Sequence, residues 1–313
     1  MSKTNTPATP VKPIKKYPNF YRLYLSSLLG GWKKRPLWKE VQTVSFFVGY
    51  PRTGASMMGA LLDAHPNMVF AQELNLIRAH ALGFSKYQIL ALILQSSERF
   101  VAGGSAGQGH VVGSKYSYAV PDQWQGRHRG LLVIGDKQAP GATANLTDYP
   151  HLAARFAQDL GKRVRMIHMI RNPFDCINGI FRLKSARSGR RGHTHVRQSI
   201  DYYLRLLGGI VELKRRHPDD ILDIRMEDLI ANPREKLVAT CEFLGVACPT
   251  DYLESCASII FPEPRRSTSA VWTAEEIALI EATIAATPFL QGYEAPQSVR
   301  DSQQPAPEEN HAS

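Results

Sequence analysis

Residues 49–56 read Gly-Tyr-Pro-Arg-Thr-Gly-Ala-Ser, a phosphate-binding loop without its lysine. Nucleotide loops of the form Gly-x-x-x-x-Gly-Lys-Ser/Thr carry lysine where this chain has Ala55, and the cation here is Arg52, two residues before the second glycine. The apolar run Val44–Val48 ahead of the loop suits a buried strand. Met57, Met58, Leu61 and Leu62 behind it fall on one face of a helix. Strand, glycine loop and helix N-terminus together gather backbone N–H groups and the positive end of a helix dipole, so the segment predicts an anion site. The missing lysine argues against a nucleoside triphosphate as the anion.

Strand and helix patterns alternate along the rest of the chain. Strands are expected at Val44–Val48, Met68–Phe70, Leu131–Gly135, Val164–Ile170 and Ile221–Ile224, with helices at 54–64, 73–82, 85–97, 146–159, 173–184, 196–216, 233–244 and 274–286. This alternation predicts an α/β fold: a three-layer sandwich with a central parallel sheet flanked by helices, of the P-loop nucleotide-binding type. Ligands of such sheets bind beyond the carboxyl ends of the strands, where Arg52 and Arg171 both fall. Residues 101–130, rich in Gly, Ser and Tyr, interrupt the alternation as an inserted excursion near the site. The basic run Ala186–His195 reads as a loop between helices, either a solvated one or a lid over an anionic ligand.

A chain of 313 residues with 43% apolar content has room for one large α/β domain or two small ones. Its formal charge is +10, and residues 1–40 hold nine Lys/Arg against Glu40 alone, so they carry +8 of it. The division expected is a basic arm over 1–40, partly disordered with a short amphipathic helix, one domain over 41–293, and a disordered tail over 294–313. The arm reads either as a solvated tail or as a contact for an acidic membrane or partner surface. No basic stripe interleaved with aromatics is present, so no nucleic-acid partner is expected. Phe20–Trp32 contains Arg22 and is too short to span a bilayer, which predicts a helix packed on the domain, with interfacial membrane contact as the alternative. Four cysteines without a C-x-x-C pair or matching histidines predict neither a zinc site nor a disulfide framework and fit a reducing, cytoplasmic setting.

A second anion candidate is Met169-Ile170-Arg171-Asn172-Pro173-Phe174-Asp175, where an apolar strand ends in arginine and Pro173 opens a helix at the position where its missing N–H costs nothing. With both segments in place, the chain resembles the sulfotransferases that use 3'-phosphoadenosine 5'-phosphosulfate (PAPS). Their 5'-phosphosulfate loop, Gly-x-Pro-Arg/Lys-Ser/Thr-Gly-Thr/Ser-Thr/Ser, is matched by Gly49–Ser56, and their 3'-phosphate segment, Arg-Asn/Asp-Pro-x-Asp, by Arg171–Asp175. The likeness extends through Leu62–Asn67 with Glu73, Gly135-Asp136-Lys137, Met226–Leu229, Phe243-Leu244-Gly245 and Trp272-Thr273, or about residues 44 to 293.

The resemblance implies PAPS as co-substrate, no metal, and a small-molecule, carbohydrate or lipid acceptor. It implies Arg52 on the bridging and equatorial oxygens, Thr53, Gly54, Ala55 and Ser56 around the 5'-phosphate, and Arg171 on the 3'-phosphate. Asn178 stands in for the family's hydroxyl at the position held here by Gly179, and Arg265 and Arg266 lie in a basic loop over the 3'-phosphate. Lys137 resembles a basic residue pointed at the transferring sulfate, and Glu73 is the first candidate for the base that takes the acceptor's proton, with Asp136 as an acid/base alternative or an ion-pair partner of Lys137. His65 and His168 read as structural, as do Glu227 and Asp228. Tyr116, Tyr118 and Trp124 suit an aromatic or sugar ring. Two rivals stand beside this reading. One is a P-loop kinase or ATPase, with Leu131–Asp136 as its aspartate-ending strand; the other is a non-catalytic nucleotide-binding relative, kept in view by Ala55 and Gly179.

Overall fold

The structure, a computed structural model, describes residues 13–103, 118–188, 193–260 and 270–302. Five strands, β1 (Thr43–Val48), β2 (Met68–Ala71), β3 (Val133–Asp136), β4 (Arg163–Ile170) and β5 (Ile221–Arg225), form one parallel sheet in the order β2-β3-β1-β4-β5. All five fall where apolar runs predicted them. β1 lies at the centre and is buried on both faces, as a parallel sheet covered by helices requires. Its side chains divide with period two: Val44, Phe46 and Val48 enter the core on one face and Phe47 the core on the other.

The helices are α1 (Phe20–Lys34), α2 (Ala55–Asp63), α3 (Leu76–Ala81), α4 (Lys86–Ala102), α5 (Ala139–Asp148), α6 (His151–Leu160), α7 (Pro173–Ser188), α8 (His193–Arg216), α9 (Met226–Ala231), α10 (Pro233–Leu244), α11 (Thr250–Ser258), α12 (Ala274–Ala286) and α13 (Gln297–Arg300). On one face, Ile77, Ile89, Ile93, Leu146 and Phe156 from α3 to α6 pack with β1. On the other, Met58, Leu61 and Leu62 of α2 meet Leu237 and Cys241 of α10 and Tyr252 of α11. α7, α8 and α12 build a further core around Phe174, Tyr203 and Trp272.

The structure departs from the sequence expectations at three segments. The helix expected at 146–159 is two helices, α5 and α6, because Tyr149-Pro150 interrupts it and Pro150 has no N–H to continue the ladder. Of the loop expected at 186–195, the described residues are helix: α7 runs to Ser188 and α8 begins at His193. The tail expected from Glu294 onward is ordered as far as residue 302: α13 buries Val299, and Arg300 pairs with Glu281 at 3.1 Å. Among the described residues no helix is long and apolar enough to cross a membrane.

Candidate functional site

Parallel pairing delivers the candidate residues to one edge of the sheet. Ala71 of β2 is in register with Asp136 of β3, so Glu73 and Lys137 leave the sheet side by side, tied by the Lys137 N–H donating to the Ala71 carbonyl at 3.0 Å. Val48 of β1 is in register with His168 of β4, so the Gly49–Ser56 loop and Arg171 emerge together next to them. The sheet also reverses its growth at β1, the position where such sheets open a crevice.

The loop turns into α2 through Arg52 and Gly54, both with positive φ (74° and 94°). Gly54 adopts that region without strain; Arg52 is held there against its preference. The first amides of α2 have no intrahelical acceptor and face the end of the helix where the dipole is positive. Onto this point Lys137 brings an ammonium. Its stem lies against Gly59, where an added Cβ would stand 2.8 Å from the Lys137 Cβ, so only glycine at 59 admits it. Its Nζ donates to the Ser56 hydroxyl at 2.9 Å and to Glu73 Oε1 at 2.7 Å. Lys137 is buried and Glu73 exposed. A buried ammonium costs several kcal/mol unless a partner offsets it, and Glu73 is that partner. An ammonium and a helix N-terminus thus converge on one hydroxyl, beside an exposed carboxylate.

Asp136, by contrast, is wholly buried and does not pair with Lys137. Its carboxylate accepts from the Leu74 N–H at 2.9 Å and the Asn75 N–H at 2.6 Å, which fixes the backbone just after Glu73. Burial, chiefly, pushes its pKa up to about 7, with the two N–H donors opposing and Glu73 adding repulsion. It is therefore a brace for Glu73, not a base at the surface. A second brace comes from the arm: the Tyr17 hydroxyl donates to the Leu74 carbonyl at 2.6 Å, and Arg78 Nε donates to the Lys15 carbonyl at 2.7 Å. The residue pattern gave no sign of this attachment.

The other cations gather at the start of α7. Arg171 Nη1 donates to the Arg52 carbonyl at 3.4 Å and Nη2 to Asp175 at 3.3 Å. The Arg52 side chain lies against Gly179, where an added Cβ would come within 2.8 Å of its Cγ and 2.9 Å of its Nε. Burial lowers the Arg52 pKa, Tyr118 opposes this, and Arg171 and Arg182 lower it further by like-charge repulsion. The guanidinium stays a cation all the same. Arg182 escaped the sequence reading, although its spacing from Asp175 and Gly179 puts all three on one helix face.

Asn178, expected at the cofactor, is buried instead, and its Oδ1 accepts from the Trp272 indole at 3.3 Å. Arg265, Arg266 and Tyr116 lie outside the described residues. Tyr118 stands near Arg52, but Trp124 is at the opposite end of α2, its N–H bound to the Ala64 carbonyl at 3.1 Å. His65 links Ala247 and Asn67, and His168 is buried beside Asp223. Glu227 accepts from the Tyr293 hydroxyl at 2.6 Å. A cleft of about 560 Å³ beside Asn172 is lined by Asp175, Glu227 and Glu294 and by one cation, Arg300, with Asp175 also paired to Arg171. Among the described residues no group of three or more His, Cys, Asp or Glu is gathered to hold a metal ion.

Comparison with known proteins finds a likeness over part of the chain. The model of the sulfotransferase family matches residues 144–250, a stretch that contains β4, Arg171, α7, α8, β5 and α10 but not the Gly49–Ser56 loop. None of the curated proteins matches the sequence. Among solved structures, the sulfotransferase domain of the Synechococcus PCC 7002 olefin synthase is similar at 20% identity and a TM-score of 0.46, covering 78% of this chain and 94% of that one. Sulfotransferase STF9 from Mycobacterium avium is similar at 11% identity and a TM-score of 0.48, covering 85% and 81%. Mouse sulfotransferase SULT7A1, complexed with PAP, is similar at 12% identity and a TM-score of 0.35, covering 76% and 70%.

Proposed function

We propose that this chain, a member of the sulfotransferase family, moves a sulfuryl group from PAPS to a hydroxyl or amine acceptor and releases adenosine 3',5'-bisphosphate. The observation that carries the reading is the pair of cationic centres on one sheet edge, Lys137 with the α2 N-terminus and Arg171 with Arg52 and Arg182. PAPS is anionic at two separated places, and the donors present fit both: amides, hydroxyl and ammonium at one, guanidinium groups at the other. When bound, it supplies the activated sulfuryl group.

The chain's own part is alignment, charge and a proton. The backbone N–H groups of Thr53, Gly54, Ala55 and Ser56 hold the 5' end; Ala55 lacks the hydroxyl usual in the family but keeps its N–H. Arg171 anchors the 3'-phosphate. Arg52 spans the two centres, its backbone in the loop and its side chain on α7. Glu73 is exposed where an acceptor arrives, so its carboxylate takes the acceptor's proton. Lys137 holds Glu73 in place through Oε1 and faces the oxygens on which charge grows. The aromatic ring of Tyr118 lines the approach for a small-molecule, carbohydrate or lipid acceptor.

A kinase or ATPase would place magnesium on the Ser56 hydroxyl. Here that hydroxyl accepts from the Lys137 ammonium, which repels a dication. Sulfate transfer from PAPS across a panel of alcohols, phenols, sugars and amines tests the proposal with wild type, Arg52→Ala and Glu73→Gln. Transfer by wild type that falls at least tenfold in each variant supports it. Equal rates in all three remove both residues from the mechanism, and cofactor binding without transfer to any acceptor favours the non-catalytic relative.

A further inference from the structure

α1 has two apolar faces, and only one is used by the fold. The inner face packs on α4: Ser27 and Gly31 are buried, Phe20 and Tyr24 meet Phe84, and Gln88 Nε2 donates to the Ser27 hydroxyl at 3.0 Å and to the Tyr24 carbonyl at 3.1 Å. The outer face carries Tyr21, Leu25, Leu28, Leu29 and Trp32, which are 70%, 63%, 46%, 70% and 73% exposed. Their spacing of four, three, one and three residues makes a continuous stripe along three turns of helix. Scattered exposed leucines are ordinary on a protein surface; a stripe with a tyrosine at one end and a tryptophan at the other is not.

Charge identifies what the stripe fits. Between residues 13 and 39 stand Lys15, Lys16, Arg22, Lys33, Lys34, Arg35 and Lys39, with no Asp or Glu. Lys16 sits at the tyrosine end, its Nζ 5.2 Å from the Tyr21 ring centre, and Lys33, Lys34 and Arg35 follow Trp32 directly. Two copies of this face brought together by a two-fold axis would oppose cation to cation, because such an interface pairs a patch with itself. A bilayer with acidic headgroups meets both properties: acyl chains take the leucines, the interface takes the Tyr and Trp rings, and the headgroups take the cations.

We propose that the outer face of α1 is a docking surface for an anionic lipid bilayer. Docking lays α1 in the headgroup layer with Leu25, Leu29 and Trp32 inward. The binding does not depend on the sulfotransferase reading, and its test measures no transfer.

The test is co-sedimentation of the full chain with vesicles of phosphatidylcholine alone and of phosphatidylcholine with about 30% phosphatidylglycerol, at low and at high salt. At least tenfold tighter binding to the acidic vesicles, weakened by salt, is expected. A blue shift of tryptophan emission on binding, lost in Trp32→Phe, is expected with it. The double variants Leu25→Glu/Trp32→Glu and Lys33→Glu/Lys34→Glu, whose thermal unfolding is compared with wild type to establish that they fold, should each lose most of the binding. Binding that ignores lipid charge, that is absent from both vesicles, or that survives in the folded Leu25→Glu/Trp32→Glu variant overturns the proposal. So does a dimer in vesicle-free solution that Leu25→Glu dissolves while vesicles bind nothing, which would make the stripe an interface between copies of this chain.

Discussion

The two cationic centres at the carboxyl edge of the sheet are built on opposite plans. At the first, one buried ammonium is held between a hydroxyl and a carboxylate, with a second carboxylate, that of Asp136, bracing the backbone behind it. At the second, Arg52 and Arg171 meet at the start of α7 with Asp175 as the acid between them, and Arg182, further along the helix, adds its charge beside Arg52. The first sets its one ammonium against one exposed carboxylate and is rigidly referenced to two strands, the conditions under which a proton can be taken and growing charge met at a fixed place. The second gathers three guanidinium groups, which suits the polyanion of the proposed function. On the proposed function, chemistry and binding are divided between neighbouring strand ends.

The largest effect that sharpens this division belongs to Lys137. Lys137→Met should lower the rate of sulfate transfer by about 10²–10³, the usual loss on removing one group that stabilises transition-state charge, while affinity for adenosine 3',5'-bisphosphate stays within a few-fold of wild type. Equal losses of rate and affinity would merge the two centres into one.

Asp136 gives the next effect, through pH. Its carboxyl is harder to ionise in the fold, where its pKa lies at about 7, than in the unfolded chain, so it favours the fold fully below about pH 4, and that advantage is lost as pH rises through about 7. The unfolding free energy of wild type relative to Asp136→Asn should therefore fall over that window, with a slope of at most about 1.4 kcal/mol per pH step of one. A difference that stays flat from pH 4 to 8 would show that the brace ionises as readily folded as unfolded.

Gly179→Ser tests the second centre. A Cβ there intrudes on the Arg52 stem, and moving the stem should cost about 1–3 kcal/mol of stability and several-fold in bisphosphate affinity. Tighter binding in the serine variant would mean that the hydroxyl common in the family restores a contact the glycine lacks. The smallest effect is expected from Tyr17→Phe, which removes the hydrogen bond to the Leu74 carbonyl: about 1 kcal/mol of stability, with faster amide exchange at residues 74 and 75. Unchanged exchange there would detach the arm from the Glu73 segment.

Legibility in the sequence followed the range of the interactions. The strands are local patterns, so Val44–Val48 was readable from residue order alone, as were the turn of Gly49–Ser56 into α2 and the opening of α7 at Pro173. The partnership of Glu73 with Lys137 was not, because it depends on the register between β2 and β3, which are far apart in the chain. Asp136 could be read as acid, base or ion-pair partner until its burial and its two N–H donors fixed its role. Gly179 was read as a missing hydroxyl; in the fold it is the space that Arg52 fills. Asn178, one residue earlier, faces Trp272 because neighbouring positions on a helix point in different directions.

The central claim, that Arg171 and its neighbours form a binding centre for a second phosphate, is tested most directly by calorimetric titration of wild type and Arg171→Ala with adenosine 3',5'-bisphosphate and with adenosine 5'-phosphate, which lacks the 3'-phosphate. Wild type should bind the bisphosphate at least tenfold more tightly, and the preference should vanish in Arg171→Ala. Equal affinity of wild type for the two nucleotides, or a preference that survives the substitution, would contradict the account.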